Sequence, residues 1–310
     1  MNSAPCPCHD FRPSLIRDTG IYAFGIADAA PVDEHAHRIY NRWIEQKRHG
    51  SMLYMERYSD IRLDPRLLLP DTASVICCAI PYYSPQSAMS QGIAAYALGT
   101  DYHEVVRRIL TGVATRITDT YGGATRVCVD TAPIRERYWA VRSGLGTIGI
   151  NNQLIIPGAG TYFFLGEILT TVHFTPTPPL RQNLCTACMR CVRACPTGAL
   201  KSDGSCDTSR CLSYLTIEHR GDLPSDTDLH GHLYGCDECA RACPLNSTPP
   251  ATDIEELKPR PEVLSLTPAD VLDMDQTRFS TIFSHSAIKR TKLAGLRRNA
   301  ELLPTKQKKD

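Results

Sequence analysis

Cys185-Thr186-Ala187-Cys188-Met189-Arg190-Cys191-Val192-Arg193-Ala194-Cys195-Pro196 is the stretch on which the reading of this chain turns. Its C-x2-C-x2-C-x3-C-P spacing is that of bacterial ferredoxins, where tight turns bring three thiolates to one cubane cluster. The longer step and the proline then direct the fourth cysteine to a second cluster. Cys236-Asp237-Glu238-Cys239-Ala240-Arg241-Ala242-Cys243-Pro244 repeats the ending, and Cys211 stands between the two runs. The pattern assigns Cys185, Cys188, Cys191 and Cys243 to one [4Fe-4S] cluster, and Cys195, Cys211, Cys236 and Cys239 to the other. A zinc ribbon of paired C-x2-C knuckles is the competing reading. It needs only four ligands and leaves the third cysteine and both Cys-Pro endings unexplained.

The chain has 310 residues and 14 cysteines. Its start, Met1 to Cys8, shows neither a basic segment leading into an apolar run nor a twin arginine, so no export signal is expected. No apolar stretch approaches the length of a membrane span. The expectation is a cytoplasmic protein without a membrane partner, in which abundant cysteine means metal or redox chemistry rather than disulfides. The net charge of +1 predicts no global affinity for nucleic acid, so any such surface must be local. Cys77, Cys78 and Cys128 sit in apolar segments and read as core, as free cysteine usually does. Cys6, Cys8 and His9 read as a frayed terminus, and Cys206 as a loop residue outside both clusters.

Residues 1–178 alternate strand and helix. Ile21–Ile26, Ser74–Ile80 and Arg126–Asp130 read as strands, and His35–His49 as a helix. Asp101 is the expected N-cap of a second helix, with Val105, Val106, Ile109, Leu110, Val113 and Ile117 on one face and Gly122-Gly123 closing it. The expected class is α/β or α+β: an α/β domain over 1–178, a ferredoxin-like two-cluster domain over 179–250, and a short helical segment over 251–310. Gly144-Leu145-Gly146-Thr147-Ile148-Gly149 matches GxGxxG. That fingerprint needs a strand before it and a helix after it, whereas here a helix-like segment precedes and an extended one follows.

The α/β half resembles the epoxyqueuosine reductase family. The matching stretches are Gly50–Met55 (GSMLYM), Arg62–Pro65 (RLDP), Tyr96–His103 (YALGTDYH), Val129–Arg137 (VDTAPIRER), Gly144–Gly149 and Phe163–Leu169 (FFLGEIL). They continue in Cys211–His219 (CLSYLTIEH), Tyr234–Asp237 (YGCD), Ser286–Arg290 (SAIKR) and Gly295–Asn299 (GLRRN), interleaved with the eight cysteines. The resemblance implies base-off cobalamin beside the clusters and reductive removal of the epoxide oxygen of epoxyqueuosine in the anticodon loop of tRNA. It implies electrons from an external one-electron donor such as flavodoxin or ferredoxin. It places the proton donor on Asp130 and cobalamin contacts on Arg62, Ala94, Asp130, Ile155 and Gly166. To act as an acid, Asp130 would need its carboxyl raised by burial; the competing role is a cap for the helix that follows. Arg135 and Arg137 read as phosphate contacts or as partners of Glu136, and His103 as a substrate contact or an ordinary helix-surface histidine.

Some members of that family end in helical repeats that help hold tRNA, and this chain stops without them. Between Arg278 and Lys309, however, nine basic residues face one acid, Glu301, which is a local footprint suited to phosphates. The rival readings are a plain electron carrier, a reductive dehalogenase sharing the cobalamin-plus-two-clusters plan, and a cobalamin-trafficking protein. The first leaves the α/β half idle, and the second typically carries a twin-arginine signal.

Overall fold

The computed structural model describes residues 8–303, so Cys6, Lys306, Lys308 and Lys309 lie outside the described residues. The N-terminal part runs β1 (Ala23–Asp28), α1 (Glu34–Glu45), α2 (Ser59–Leu63), β2 (Ser74–Pro81), α3 (Tyr102–Tyr121), β3 (Thr125–Cys128), α4 (Glu136–Arg142), β4 (Thr147–Ile148), β5 (Leu154–Ile155) and β6 (Phe163–Thr170). Short helices α5 (Arg190–Ala194) and α6 (Glu238–Arg241) accompany the cysteine runs. They are followed by α7 (Pro261–Leu264), α8 (Pro268–Leu272), α9 (Gln276–Phe283) and α10 (Lys292–Glu301).

Four strands form a sheet in the order β1-β2-β6-β3. Every pairing is antiparallel, so the α+β label describes this sheet. β2 is buried along its whole length, which is why SVICCAIP shows no polar alternation. Successive side chains point to opposite faces. Cys78 therefore packs with the α3 residues Val106, Leu110 and Ile117, while Cys77 packs on the other face with Trp139 and Ala140 of α4. Asp101 caps α3 by accepting the His103 N–H, and Gly122 ends it. α1 stops at Glu45, short of the expected His49, where Lys47 takes a left-handed backbone. In the GxGxxG segment, α4 precedes and β4 lies inside the motif, paired with β5. A dinucleotide fingerprint has the opposite order.

A third core unites Ile93, Ala97 and Leu98 with Leu212, Leu233 and Tyr234, and with Val263, Phe283, Ile288 and Leu296 from the C-terminal helices. Arg298 is buried within this assembly. Its guanidinium donates to the carbonyls of His219 (3.1 Å), Gly221 (2.8 Å) and Leu215 (2.8 Å) and to the Asn299 side chain. Asn299 in turn donates to the carbonyls of Thr216 and Leu233. Arg297 donates to the Met274 carbonyl. These two arginines serve the fold and leave the phosphate-binding footprint expected of them; Arg278, Lys289, Arg290 and Lys292 remain exposed. Arg298→Met should lower stability by about 3 kcal/mol or more, since several buried acceptors lose their donors at once. Urea unfolding of the cofactor-loaded protein measures this, and an unchanged midpoint would show that water replaces the guanidinium.

Candidate active site

The cysteine runs fold as tight turns. Ala187 and Met189 adopt left-handed backbones before α5, and α5 packs against α6. Burial raises the Cys191 thiol, which also feels Cys185 and Cys243; Cys243, likewise raised by burial, feels Cys185 and Cys188. Burial raises Cys239 too, with Cys236, Cys211 and Cys195 around it. The thiols that act electrostatically on Cys191 and Cys243 are thus those of the first run and each other, while those acting on Cys239 are Cys236, Cys211 and Cys195. Among the described residues no three His, Cys, Asp or Glu side chains converge closely enough for a single metal ion. Cubanes, unlike zinc, hold their four thiolates around a body of several atoms, and an all-thiol donor set suits them. Cys206, half-buried, feels Cys211 and Cys195 and so stands nearer the second group than a remote loop would. Its carbonyl accepts from the Trp43 indole (3.1 Å).

Beside the second group opens a cleft of about 250 Å³. Its lining includes Cys236, Asp237, Cys239 and Ala240 of the cysteine module, the aromatic Tyr82, Tyr96, Tyr102, Phe163 and Phe164, and the charged Asp130, Glu136 and Arg137. Asp237, raised by burial, accepts the Ala95 N–H at 2.6 Å and also lines an adjoining cleft of about 410 Å³ with Ala94. Aromatic walls next to cluster thiols fit a flat, apolar-faced redox cofactor in contact with the cluster region.

Asp130 sits after β3 with φ +47°, a backbone region that Asp tolerates better than most residues. Glu136 accepts its N–H at 2.6 Å. Its Oδ2 lies 2.9 Å from His103 Nε2, and His103 Nδ1 lies 2.7 Å from Asp101 Oδ1. Asp130 is not the cap of α4, whose N-cap is Arg135. The expectation of a raised Asp130 carboxyl is overturned. Burial does push it up, but the His103 hydrogen bond and charge, with Tyr102 and Arg290, prevail and hold it below the usual value. The proton rests on His103. Burial disfavours its charge, yet bonds to Asp101 and Asp130 raise it to about 9. The sequence left His103 open between a substrate contact and an ordinary helix-surface histidine; the Asp101-Tyr102-His103 run at a helix start was the available signal for its pairing with Asp101.

The other candidates are spread around this centre. Arg62, on α2, donates to the Tyr54 carbonyl (3.4 Å), and its Nε is buried without a protein partner. Ala94 touches the region just before Cys236, where a side chain on Gly235 would meet Ala94 Cβ at 2.6 Å. Ile155 is buried on β5, next to the cleft-lining Gln153 and Leu154. A side chain at Gly166 would strike Leu110 on the α3 face at 2.5 Å, so that position offers only backbone to a ligand. Arg135 stacks over Tyr40 and Tyr138 instead of pairing with Glu136. Arg290 forks onto Glu218 (2.9 and 2.8 Å) and stands over Tyr54.

Fold and site together define an iron–sulfur oxidoreductase in which a cleft with a proton relay abuts a double-cluster module. Residues 62–131 match the family model for epoxyqueuosine reductase (QueG, DUF1730), and residues 184–246 match the 4Fe-4S double cluster binding domain. An epoxyqueuosine reductase of Cellulophaga algicola is 36% identical over 290 residues, covering 92% of this chain and 94% of the relative. One from Gloeobacter violaceus is 37% identical, covering 93% and 92%. The chain belongs to the epoxyqueuosine reductase family. Among solved structures, the enzyme of Streptococcus thermophilus superposes with a TM-score of 0.82 at 26% identity, covering 93% of this chain and 78% of that one. An epoxyqueuosine reductase holding a tRNA-Tyr epoxyqueuosine-modified stem loop gives 0.82 at 29% identity, with the same coverage.

Because Cys243 lies with the first run, Cys243→Ala should damage the cluster of Cys185, Cys188 and Cys191. EPR of the reduced variant tests this; loss confined to the cluster of Cys236 and Cys239 would overturn the grouping.

Proposed function

We propose that this protein is the cytoplasmic enzyme that reduces epoxyqueuosine to queuosine at the wobble position of tRNA, the last step of queuosine biosynthesis. The observation that carries the reading is the relay Asp101–His103–Asp130, which ends on Asp130 in the lining of a cleft that Cys236 and Cys239 also line. The stem-loop complex of a relative supports tRNA as substrate. An external one-electron donor of the flavodoxin or ferredoxin kind would supply electrons through the clusters. Cys185, Cys188, Cys191 and Cys243 would ligate one cluster, and Cys195, Cys211, Cys236 and Cys239 the other.

Base-off cobalamin in the cleft would bring the reducing centre, refilled one electron at a time. Arg62, Ala94, Ile155, the Gly166 backbone and Asp130 would surround it. What the chain itself contributes is proton supply and placement. Removing the epoxide oxygen takes two electrons and two protons and yields an alkene and water. The departing oxygen carries developing negative charge. Asp130 Oδ2 already shares the His103 proton, so a proton passed from Asp130 to that oxygen is replaced from His103. Asp101 holds the ring by its other nitrogen and stabilises its charge. Exposed Arg278, Lys289 and Lys292 would provide salt-sensitive phosphate contacts.

Asp130→Asn keeps shape and tolerates the left-handed backbone, but cannot relay a proton. Queuosine formation should fall on the order of 10²–10⁴-fold, with clusters, cobalamin and tRNA binding retained. Single-turnover mass spectrometry of tRNA nucleosides decides; near-normal turnover would remove Asp130 from the chemistry, and an inactive wild type under strong reductant would remove the function.

The relay also sets a pH limit. His103 keeps its proton below about 9 and loses it above, so single-turnover rates should decline as pH rises through that value. His103→Gln should be slow throughout and lack this limb. A wild-type rate flat across that range would show that the proton comes from elsewhere.

A further inference from the structure

We propose that Glu136 is a positioning residue that latches the Asp130 turn in its working place through the Asp130 N–H. Asp130 is held from both sides, its carboxyl by His103 and Tyr102 and its backbone by Glu136. His103 takes the side chain, and Glu136 Oε1 takes the backbone N–H at 2.6 Å. The turn needs such restraint. Asp130 is left-handed, and the Thr131 N–H folds straight back onto the Val129 carbonyl, so the segment is not held by regular structure. Sparsely populated backbone persists only where the surroundings over-determine it. Glu136 is well placed to do so because it opens α4, which packs against the central strands β2 and β6. The latch therefore transmits the rigidity of the sheet to a turn outside it.

The surroundings of Glu136 make the latch sensitive to charge. Facing it are Asp130 itself, His103 and Tyr102 of α3, Glu167 of β6, Cys77 of β2 and Cys128 of β3, with Arg137 beside it on α4. Glu167 is completely buried, and neither of its carboxyl oxygens has a hydrogen-bond partner. Two carboxyls sharing an apolar layer cannot both ionise cheaply, so Glu167 stays protonated, raised by burial and by Glu136. Glu136 is itself raised to about 7, by burial first and then by the charge of Asp130, while the Asp130 N–H favours its ionised form. Above that pH Glu136 is a carboxylate and grips the N–H firmly. Below it the proton weakens the acceptor and the turn loosens.

The test is hydrogen exchange by mass spectrometry on the cofactor-loaded protein, following peptides over 129–134 on either side of pH 7 and corrected for intrinsic rates. Wild type should lose protection as pH falls through about 7. Glu136→Gln retains a neutral acceptor that cannot titrate, so its protection should be pH-independent and close to that of the wild type at low pH, with turnover between those of wild type and Glu136→Ala. Glu136→Ala should exchange about tenfold faster, as for one lost hydrogen bond, with a lower kcat and an unchanged tRNA Kd. Wild-type protection in Glu136→Ala overturns the latch. So does a Glu136→Gln variant as slow as Glu136→Ala with its turn still protected, which would make Glu136 a direct proton donor. A Glu136→Gln protection that still follows pH through 7 would move the titration to another group. The turnover arm rests on the reductase reading, whereas the exchange arm uses no substrate, so failure of either is separately visible.

Discussion

In the proposed ligand sets, seven thiols from two separated runs of chain, with Cys211 between them, have to reach two points, and each Cys-Pro ending crosses to the other run's group. That crossing is the constraint from which the rest of the architecture follows. Neither proposed set is complete until Cys243, which feels Cys185 and Cys188, joins the first run and Cys195, which acts on Cys239, joins the second. The turns that achieve this are too short to make a core, so the C-terminal helices provide one. Asn299 and Arg298 gather the carbonyls of Leu215, Thr216, His219, Gly221 and Leu233, while the Thr216 hydroxyl accepts the Gly235 N–H immediately before Cys236. A buried guanidinium is costly unless its donors are used. Here they are matched to backbone acceptors that a loop-rich module could not satisfy by itself.

At the cleft, the competition is between desolvation and hydrogen bonding. Burial pushes Asp130 toward its protonated form and His103 toward its neutral form. Two carboxylates bracketing one imidazole reverse both outcomes, because each bond to a charged partner favours the charged form. The proton is consequently stored on nitrogen and presented through oxygen. This differs from a carboxylic acid kept neutral by an apolar pocket. It also leaves Asp130 anionic beside a cleft where a reducing centre would gain electrons, so the charge of His103 offsets its own.

Local signals were readable in proportion to how little they depended on distant chain. The cysteine spacings, the buried run of β2 and the apolar stripe of α3 with its Asp101 cap could be read directly, because turn chemistry and periodicity determine them. The antiparallel pairing of β2 with β6 could not, since nothing in either strand names its partner. Arg298 read as one more member of a basic run because burial of a charge is decided by carbonyls some eighty positions away. Asp130 was singled out by the family resemblance of Val129–Arg137, but the direction of its titration depended on His103, which reaches it from another element. Glu167 was invisible for the same reason: in FFLGEIL it looks like the polar member of a strand, and only the sheet shows it facing α4.

The join between the two halves explains why proton and electron supply stay in register. The chain leaves β6 through a proline-rich stretch, but Thr177 is tied back to Ile26 of β1 by both its backbone and its hydroxyl. On the far side, Asn246 follows the Cys243-Pro244 ending. It accepts the Thr161 N–H at 2.7 Å and donates to the Thr161 hydroxyl and the Ala240 carbonyl, each within 2.9 Å. Thr161 lies at the entrance to β6 and lines the cleft, and Ala240 follows Cys239. One side chain therefore fixes the cluster wall to the strand that carries the aromatic wall. The Ala95 bond to Asp237 repeats the tie on the next segment. A hinge at this junction would let the walls of the cleft separate, and electron transfer and proton delivery to one bound substrate require both walls at once.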